Sequence, residues 1–201
     1  MIKKIKKKFN KIGILGGSFD PPHIGHLNIS KIAIRKLRLT KLIWIVTQRN
    51  PLKKKPYLNV AMRIKLSKSI TKNNKKILVK YLDNEVRSSY TFNLLNHLKK
   101  YNKKNMLFFL IGADNLINFH KWQKWRLIFE DIPIVIFKRH GYNEKALKSI
   151  ALKTFENYKI TTTILDKKYF SKLPAWTWIK NKEIKISSTE IRNQREILRY
   201  E

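Results

Sequence analysis

Ile12-Gly13-Ile14-Leu15-Gly16-Gly17-Ser18-Phe19-Asp20-Pro21-Pro22-His23-Ile24-Gly25-His26 is the stretch that decides the fold. Ile12 to Leu15 reads as a strand that enters a glycine turn. Two glycines after a strand, Gly16 and Gly17, let the backbone approach a ligand closely and offer N–H groups to an anion. Pro21 and Pro22 stiffen the loop that follows. Ile29, Ile32, Ala33 and Leu37 then keep helical spacing. His23 and His26, three apart at the opening of that helix, project to one side near the positive end of its dipole. Two imidazoles there can donate hydrogen bonds to a phosphate on which negative charge grows. A Gly-Gly alone is compatible with an ordinary surface turn, but His-x-Gly-His directly after strand–Gly-Gly is much more specific.

Outward from this stretch, short apolar runs alternate with helical patterns. Leu42 to Val46 is nearly continuous and apolar, as in a parallel strand buried on both faces. Met62, Leu66 and Ile70 recur every fourth position, and Ile77 to Val79 returns to strand character. Thr91, Leu94, Leu95 and Leu98 predict a helix, with Ser88 or Ser89 as its N-cap. Met106 to Ile111 is another buried strand. Trp122, Trp125 and Phe129 mark one helical face, and Ile132 to Phe137 is a fifth strand. The alternation implies an α/β fold, a parallel sheet with helices on both faces, whose ligands sit beyond the carboxyl ends of the strands.

The 201 residues suit one domain over 1–201, with a basic N-terminal extension over about 1–10 and a C-terminal helical part over about 187–201. Forty-five Lys and Arg against 13 Asp and Glu give a net charge of +32. Eight Tyr, ten Phe and five Trp mark a folded chain rather than a disordered basic tail. With no Cys, a disulfide framework, a zinc–thiolate site and a thiol nucleophile are excluded. The longest apolar runs fall far short of the roughly 18 residues of a membrane span. Met1 to Asn10 is Lys-rich like the start of a signal peptide, but the apolar stretch after it is too short for one. The expectation is a cytoplasmic protein without a membrane partner.

Such a charge favours anionic partners. Its Lys residues are nonetheless spread along the whole chain, whereas nucleic-acid readers concentrate Arg and aromatics in one stripe. A Lys-enriched surface whose field gathers phosphate-bearing small molecules is the better reading, with nucleic acid not expected as a partner.

A second segment, Ile186-Ser187-Ser188-Thr189-Glu190-Ile191-Arg192, reads as a helix N-terminus with free N–H groups and hydroxyls for a phosphate. Arg192, one turn inside, can reach the same anion. Alone this is an ordinary capping pattern.

Together the two segments resemble the HxGH nucleotidyltransferase family, whose marks are the strand–GG–x–F–D–P–x–H–x–G–H turn and a late ISST-x-x-R. The resemblance spans about residues 12–195. It implies a Rossmann-like fold that transfers a nucleotidyl group to a phosphate acceptor without a covalent enzyme intermediate. It also implies that His23 and His26 hold ATP phosphates, that Gly16, Gly17, Ser18, Phe19, Gly25 and the Ile186–Thr189 stretch (Ile186, Ser187, Ser188, Thr189) surround them, and that Arg192 neutralises the leaving pyrophosphate. The C-terminal part is shorter than the family's usual one.

Within the family the chain is similar to the branch that adenylylates nicotinate mononucleotide. By that resemblance Gly112 and Asp114, after the fourth strand, belong to the ATP site, with Asp114 at a ribose; locally the same Asp could equally cap a helix. The resemblance further implies that Arg139 lies near the ATP and that Trp122 stacks on the pyridine ring, although two Trp at i, i+3 are by themselves more often core. It also implies that Tyr90 and Thr91 offer backbone N–H groups to the nicotinate carboxylate, with Asp20 on the same side, and that Lys53 binds phosphate. The implied partners are ATP and nicotinate mononucleotide, with Mg²⁺ arriving on ATP because no carboxylate cluster suggests a protein-only metal site. Homo-oligomer formation is left open. Related acceptors, nicotinamide mononucleotide or phosphopantetheine, are the alternatives, and a basic nucleic-acid-binding protein on an inactive fold is the rival of a different class.

Overall fold

A computed structural model describes residues 10–50, 52, 55–161 and 172–197, the last three as backbone only. The basic extension before Asn10, Lys53 and residues 198–201 lie outside the described residues.

Six parallel strands form one sheet: β1 (Lys11–Gly17), β2 (Lys41–Val46), β3 (Ile77–Lys80), β4 (Met106–Gly112), β5 (Ile134–Phe137) and β6 (Trp176–Ile179), in the order β3-β2-β1-β4-β5-β6. Each central strand divides its side chains between two cores, as the two-residue period requires. Ile43 and Ile45 of β2, Phe109 and Ile111 of β4, and Ile134 and Ile136 of β5 enter one cluster. Leu42, Trp44 and Val46, then Phe108 and Leu110, then Val135 and Phe137 enter the other. That is why these runs are continuous rather than alternating in the sequence. Burying each such side chain is worth roughly 1.5–3 kcal/mol.

Helices α1 (Ile24–Lys36) and α2 (Val60–Thr71) cover the second cluster through Ala33, Ile29, Val60 and Ile64. The short α3 (Asp83–Val86) precedes α4 (Thr91–Tyr101), which covers the first cluster with Leu94, Leu95 and Leu98. Next along the chain come α5 (Ala113–Leu116), α6 (Trp125–Asp131), α7 (Asn143–Leu147) and α8 (Ile150–Thr154), and α9 (Ser188–Ile197) ends the described part. Because β1 and β4 are neighbours whose connections leave in opposite directions, a crevice opens beyond their carboxyl ends.

Four sequence expectations change in detail. The fifth strand starts at Ile134, after Pro133, which has no N–H for a ladder. Trp122 precedes α6 rather than sharing its face, because Lys124 adopts a left-handed conformation (φ 53°) that interrupts the helix. The N-cap of α4 is Tyr90, not a serine. In α2 the buried row is Arg63, Ser67 and Thr71, one position along from the apolar row, and Met62 is exposed. The sixth strand was not expected at all.

Candidate active site

β1 delivers its last glycine to a turn that ends in His23, the N-cap of α1. His23 Nδ1 accepts from the Gly25 N–H at 3.1 Å, and His26 Nδ1 accepts from the His23 N–H at 3.3 Å, a capping box built from two imidazoles. Their ring centroids are 3.9 Å apart. With each Nδ1 acting as acceptor, a neutral ring carries its proton on Nε2. Burial pulls the His23 pKa down to about 4, helped by the Arg139 charge and opposed by Glu190. His23 is 4% exposed, and its Nε2 is buried without a partner among the described residues. At neutral pH this is an N–H donor that no described residue accepts. Ser30 supports the same helix start, donating to the His26 carbonyl and accepting from Trp44 Nε1, both at 2.8 Å.

The glycines differ in what they permit. A Cβ on Gly25 would lie 2.9 Å from the His23 ring and 3.2 Å from Ile186, so this position must stay bare for the ring to pack over the helix start. A Cβ on Gly16 would meet nothing within 4 Å. Phe19, at φ 49°, turns its ring inward to stack on Trp44 at 4.7 Å, which leaves its backbone for any ligand.

From the other end of the chain, α9 closes on this turn. Ser187 Oγ accepts from the Glu190 N–H at 3.1 Å, as the capping pattern predicts. Ser188 Oγ donates to the Pro21 carbonyl at 2.9 Å. Arg192 donates to the Asp20 carbonyl and to Thr189 Oγ1, and lies 3.5 Å from Asp20 Oδ2. The Asp20 carboxylate accepts from the Tyr57 and Leu58 N–H groups at 2.8 and 2.9 Å, so it anchors the loop before α2.

Beyond β4, Asp114 Oδ2 pairs with Arg139 at 3.1 Å, while Oδ1 is buried with no partner among the described residues. Asp114 does not cap α5; Gly112 occupies that position, and a Cβ there would lie 2.5 Å from Asp114 Oδ1. On the opposite wall the Tyr90 N–H is taken by Ser88 Oγ at 3.1 Å. Trp122 stacks on Phe119 at 4.7 Å, whereas Trp125 is core.

These features surround one cleft of about 1040 Å³ at the β1–β4 switch point. Every described residue that the sequence singled out for ligand contact lines it, from Gly16 and His26 through Asp114 and Trp122 to Arg192. The pattern of the family described as cytidylyltransferase-like matches residues 14–194. The chain belongs to that family.

Its curated relatives place it with the nicotinate-nucleotide adenylyltransferases, a branch of enzymes. A probable nicotinate-nucleotide adenylyltransferase of Pelagibacter ubique (strain HTCC1062) is 39% identical over 188 residues, 94% of this chain and 95% of the relative. One of Agrobacterium fabrum (strain C58 / ATCC 33970) is 37% identical over 183 residues, covering 90% and 97%. Among solved structures, the Plasmodium falciparum nicotinic acid mononucleotide adenylyltransferase complexed with NaAD has a TM-score of 0.66 at 20% identity, covering 92% of this chain and 83% of that one. This likeness is one of fold.

Two buried charged residues behind the cleft escaped the sequence reading. Arg63 is 1% exposed and Asp83 5% exposed, and both bind backbone around the cleft rather than facing it. For Arg63 a signal existed: Arg63, Ser67 and Thr71 form a polar row at helical spacing beside the apolar one. For Asp83 none did.

Proposed function

We propose that this family member transfers the adenylyl group of ATP to nicotinate mononucleotide, giving nicotinate adenine dinucleotide and pyrophosphate. A 5′-phosphate oxygen of the mononucleotide attacks the α-phosphorus of ATP in line. The new P–O bond forms as the bond to the β-phosphate breaks, and the electron pair leaves on pyrophosphate. The acceptor phosphate is already ionised, so no side-chain nucleophile or base is required, and catalysis is positioning plus charge stabilisation.

The observation that carries the reading is the meeting of two helix N-termini, α1 and α9, at one cleft, joined by Ser188 Oγ on the Pro21 carbonyl. Helix starts present N–H groups to anions, and here two of them line the same cleft. In this reading His23 and His26 donate Nε2–H to phosphate oxygens, the former with a donor that has no acceptor among the described residues. Arg192 takes the leaving pyrophosphate. Asp114 Oδ1, which has no partner among the described residues, accepts from a ribose hydroxyl. The Thr91 N–H receives the nicotinate carboxylate, and Trp122, with one face already on Phe119, offers the other to the pyridine ring. Lys53, outside the described residues, keeps its proposed role at a phosphate.

In this reading Mg²⁺ enters on the MgATP substrate, where it neutralises phosphate charge and keeps its waters. The described residues contain no helix long and apolar enough to cross a membrane, and a cytoplasmic location belongs to the same proposal.

Pyrophosphate release with MgATP and a panel of acceptors tests the reading. Turnover on nicotinate mononucleotide well above that on nicotinamide mononucleotide and phosphopantetheine is expected. Equal or better turnover on either of the others assigns the acceptor differently, and no release with any acceptor, alongside salt-sensitive duplex binding, replaces the enzyme by a nucleic-acid binder.

A further inference from the structure

Three side chains of fixed charge are buried among the described residues, Asp20 (7% exposed), Arg63 (1%) and Asp83 (5%), and all three are spent on backbone. Arg63, from α2, donates Nε to the Leu58 carbonyl at 3.0 Å, Nη1 to those of Ser18 at 2.6 Å and Thr47 at 2.7 Å, and Nη2 to that of Gln48 at 2.8 Å. Asp83 Oδ2 accepts from the Gln48 N–H at 2.7 Å and from Ser89 Oγ at 2.6 Å. Asp20 accepts from the Leu58 N–H at 2.9 Å. Leu58 and Gln48 are therefore each gripped at the N–H by an aspartate and at the C=O by Arg63. The result is one continuous bracket from the turn after β1, across the ends of β2, to the segment that begins α4.

The bracket has a direction. In a trans peptide the C=O and N–H point opposite ways, so fixing the Ser18 carbonyl on Arg63 turns the Phe19 N–H away from α2. That N–H makes no hydrogen bond among the described residues, and Ser18 and Phe19 both line the cleft. A donor aimed before the anion arrives needs no reorganisation when charge develops. Only a planar fork with five donors serves four carbonyls at once; an ammonium has three donors on one point.

We propose that Arg63 is a positioning residue for the reaction, pre-setting the turn that faces the triphosphate and tying it, through Gln48 and Asp83, to the Ser89–Thr91 segment that faces the acceptor. The proposal rests on the adenylyltransferase reading above.

The test compares wild type with Arg63→Lys, using pyrophosphate release at saturating MgATP and nicotinate mononucleotide, and thermal melting of both proteins. The expected result is a kcat at least tenfold lower in a variant that is still folded at the assay temperature. A folded variant with wild-type kcat, whatever its melting temperature, overturns the proposal and leaves Arg63 a purely structural residue. If the lysine variant does not fold, Asp83→Asn reads the bracket from its other end. A tenfold rise in acceptor KM with ATP KM within twofold supports the proposal, and unchanged kinetics overturn it. A wild type that is itself inactive on every acceptor fails the functional reading instead, which separates the two failures.

Discussion

Arg192 donates to the backbone carbonyl of Asp20, 172 positions earlier in the chain. This contact, with the Ser188–Pro21 bond beside it, brings the start of the last helix against the start of the first. Each start is only a common capping arrangement on its own. Side by side they form a cleft wall with two helix N-termini, two imidazoles and the Arg192 guanidinium.

In the proposed reaction His26→Ala removes one donor to a phosphate, and with it the acceptor for the His23 N–H. Loss of a single preorganised donor costs about 3 kcal/mol of transition-state stabilisation, or about a hundredfold in kcat/KM. Steady-state kinetics on a variant with native circular dichroism check this, and activity within a few-fold of wild type removes His26 from the mechanism.

His23 links stability to acid. Unfolded it titrates near 6.5, and folded at about 4, so between those values the unfolded chain binds the extra proton. The stabilisation from a neutral His23 is complete above pH 6.5, declines as pH falls toward 4 and is flat below, with a total on the order of 3 kcal/mol. His23→Asn keeps an N-cap acceptor and removes the titration. Urea unfolding at pH 7, 5.5 and 4 is expected to show a shallower decline in the variant.

Gly16 and Gly25 should respond oppositely to the same added methyl. At Gly16 a Cβ meets no protein atom, so Gly16→Ala is expected to melt with wild type while ATP binding weakens at least tenfold. At Gly25 it meets the His23 ring, and Gly25→Ala should lose about 1–3 kcal/mol of stability along with activity. Calorimetric titration and melting curves on the two variants separate a glycine kept for a ligand from one kept for packing.

Trp122 and Trp125 are three residues apart and should differ as sharply. Trp125→Ala opens the core and is expected to cost about 3–5 kcal/mol of stability. Trp122→Ala is expected to raise the acceptor KM by about tenfold, the loss of one stacked ring, while the ATP KM stays within twofold. An unchanged acceptor KM takes Trp122 out of the site.

Much of this was legible in the chain because it is local or periodic. Five strands announced themselves as continuous apolar runs, which only a sheet covered on both faces requires. The glycine turn with its histidines and the late serine-threonine helix start were legible for a similar reason, since turn chemistry and capping act over three or four residues. The sixth strand was missed because Trp176–Ile179 is broken by Thr177 and so lacks the continuous apolar run that marked the other short strands. Tyr90 displaced the expected serine cap because Ser89 is drawn away to Asp83, a competitor no local reading contains.

The sequence by itself determined five of the six strands, the longer helices and the helix starts at His23 and Ser187, since each follows from residues within a few positions of one another. Only the tertiary structure decided that those starts share a cleft, that Trp122 lines it while Trp125 does not, and that Arg63 and Asp83 brace it from behind. The bracing depends on backbone carbonyls and N–H groups, which every residue but proline supplies alike, so the partners of Arg63 and Asp83 leave no trace in the order of side chains until folding brings them together.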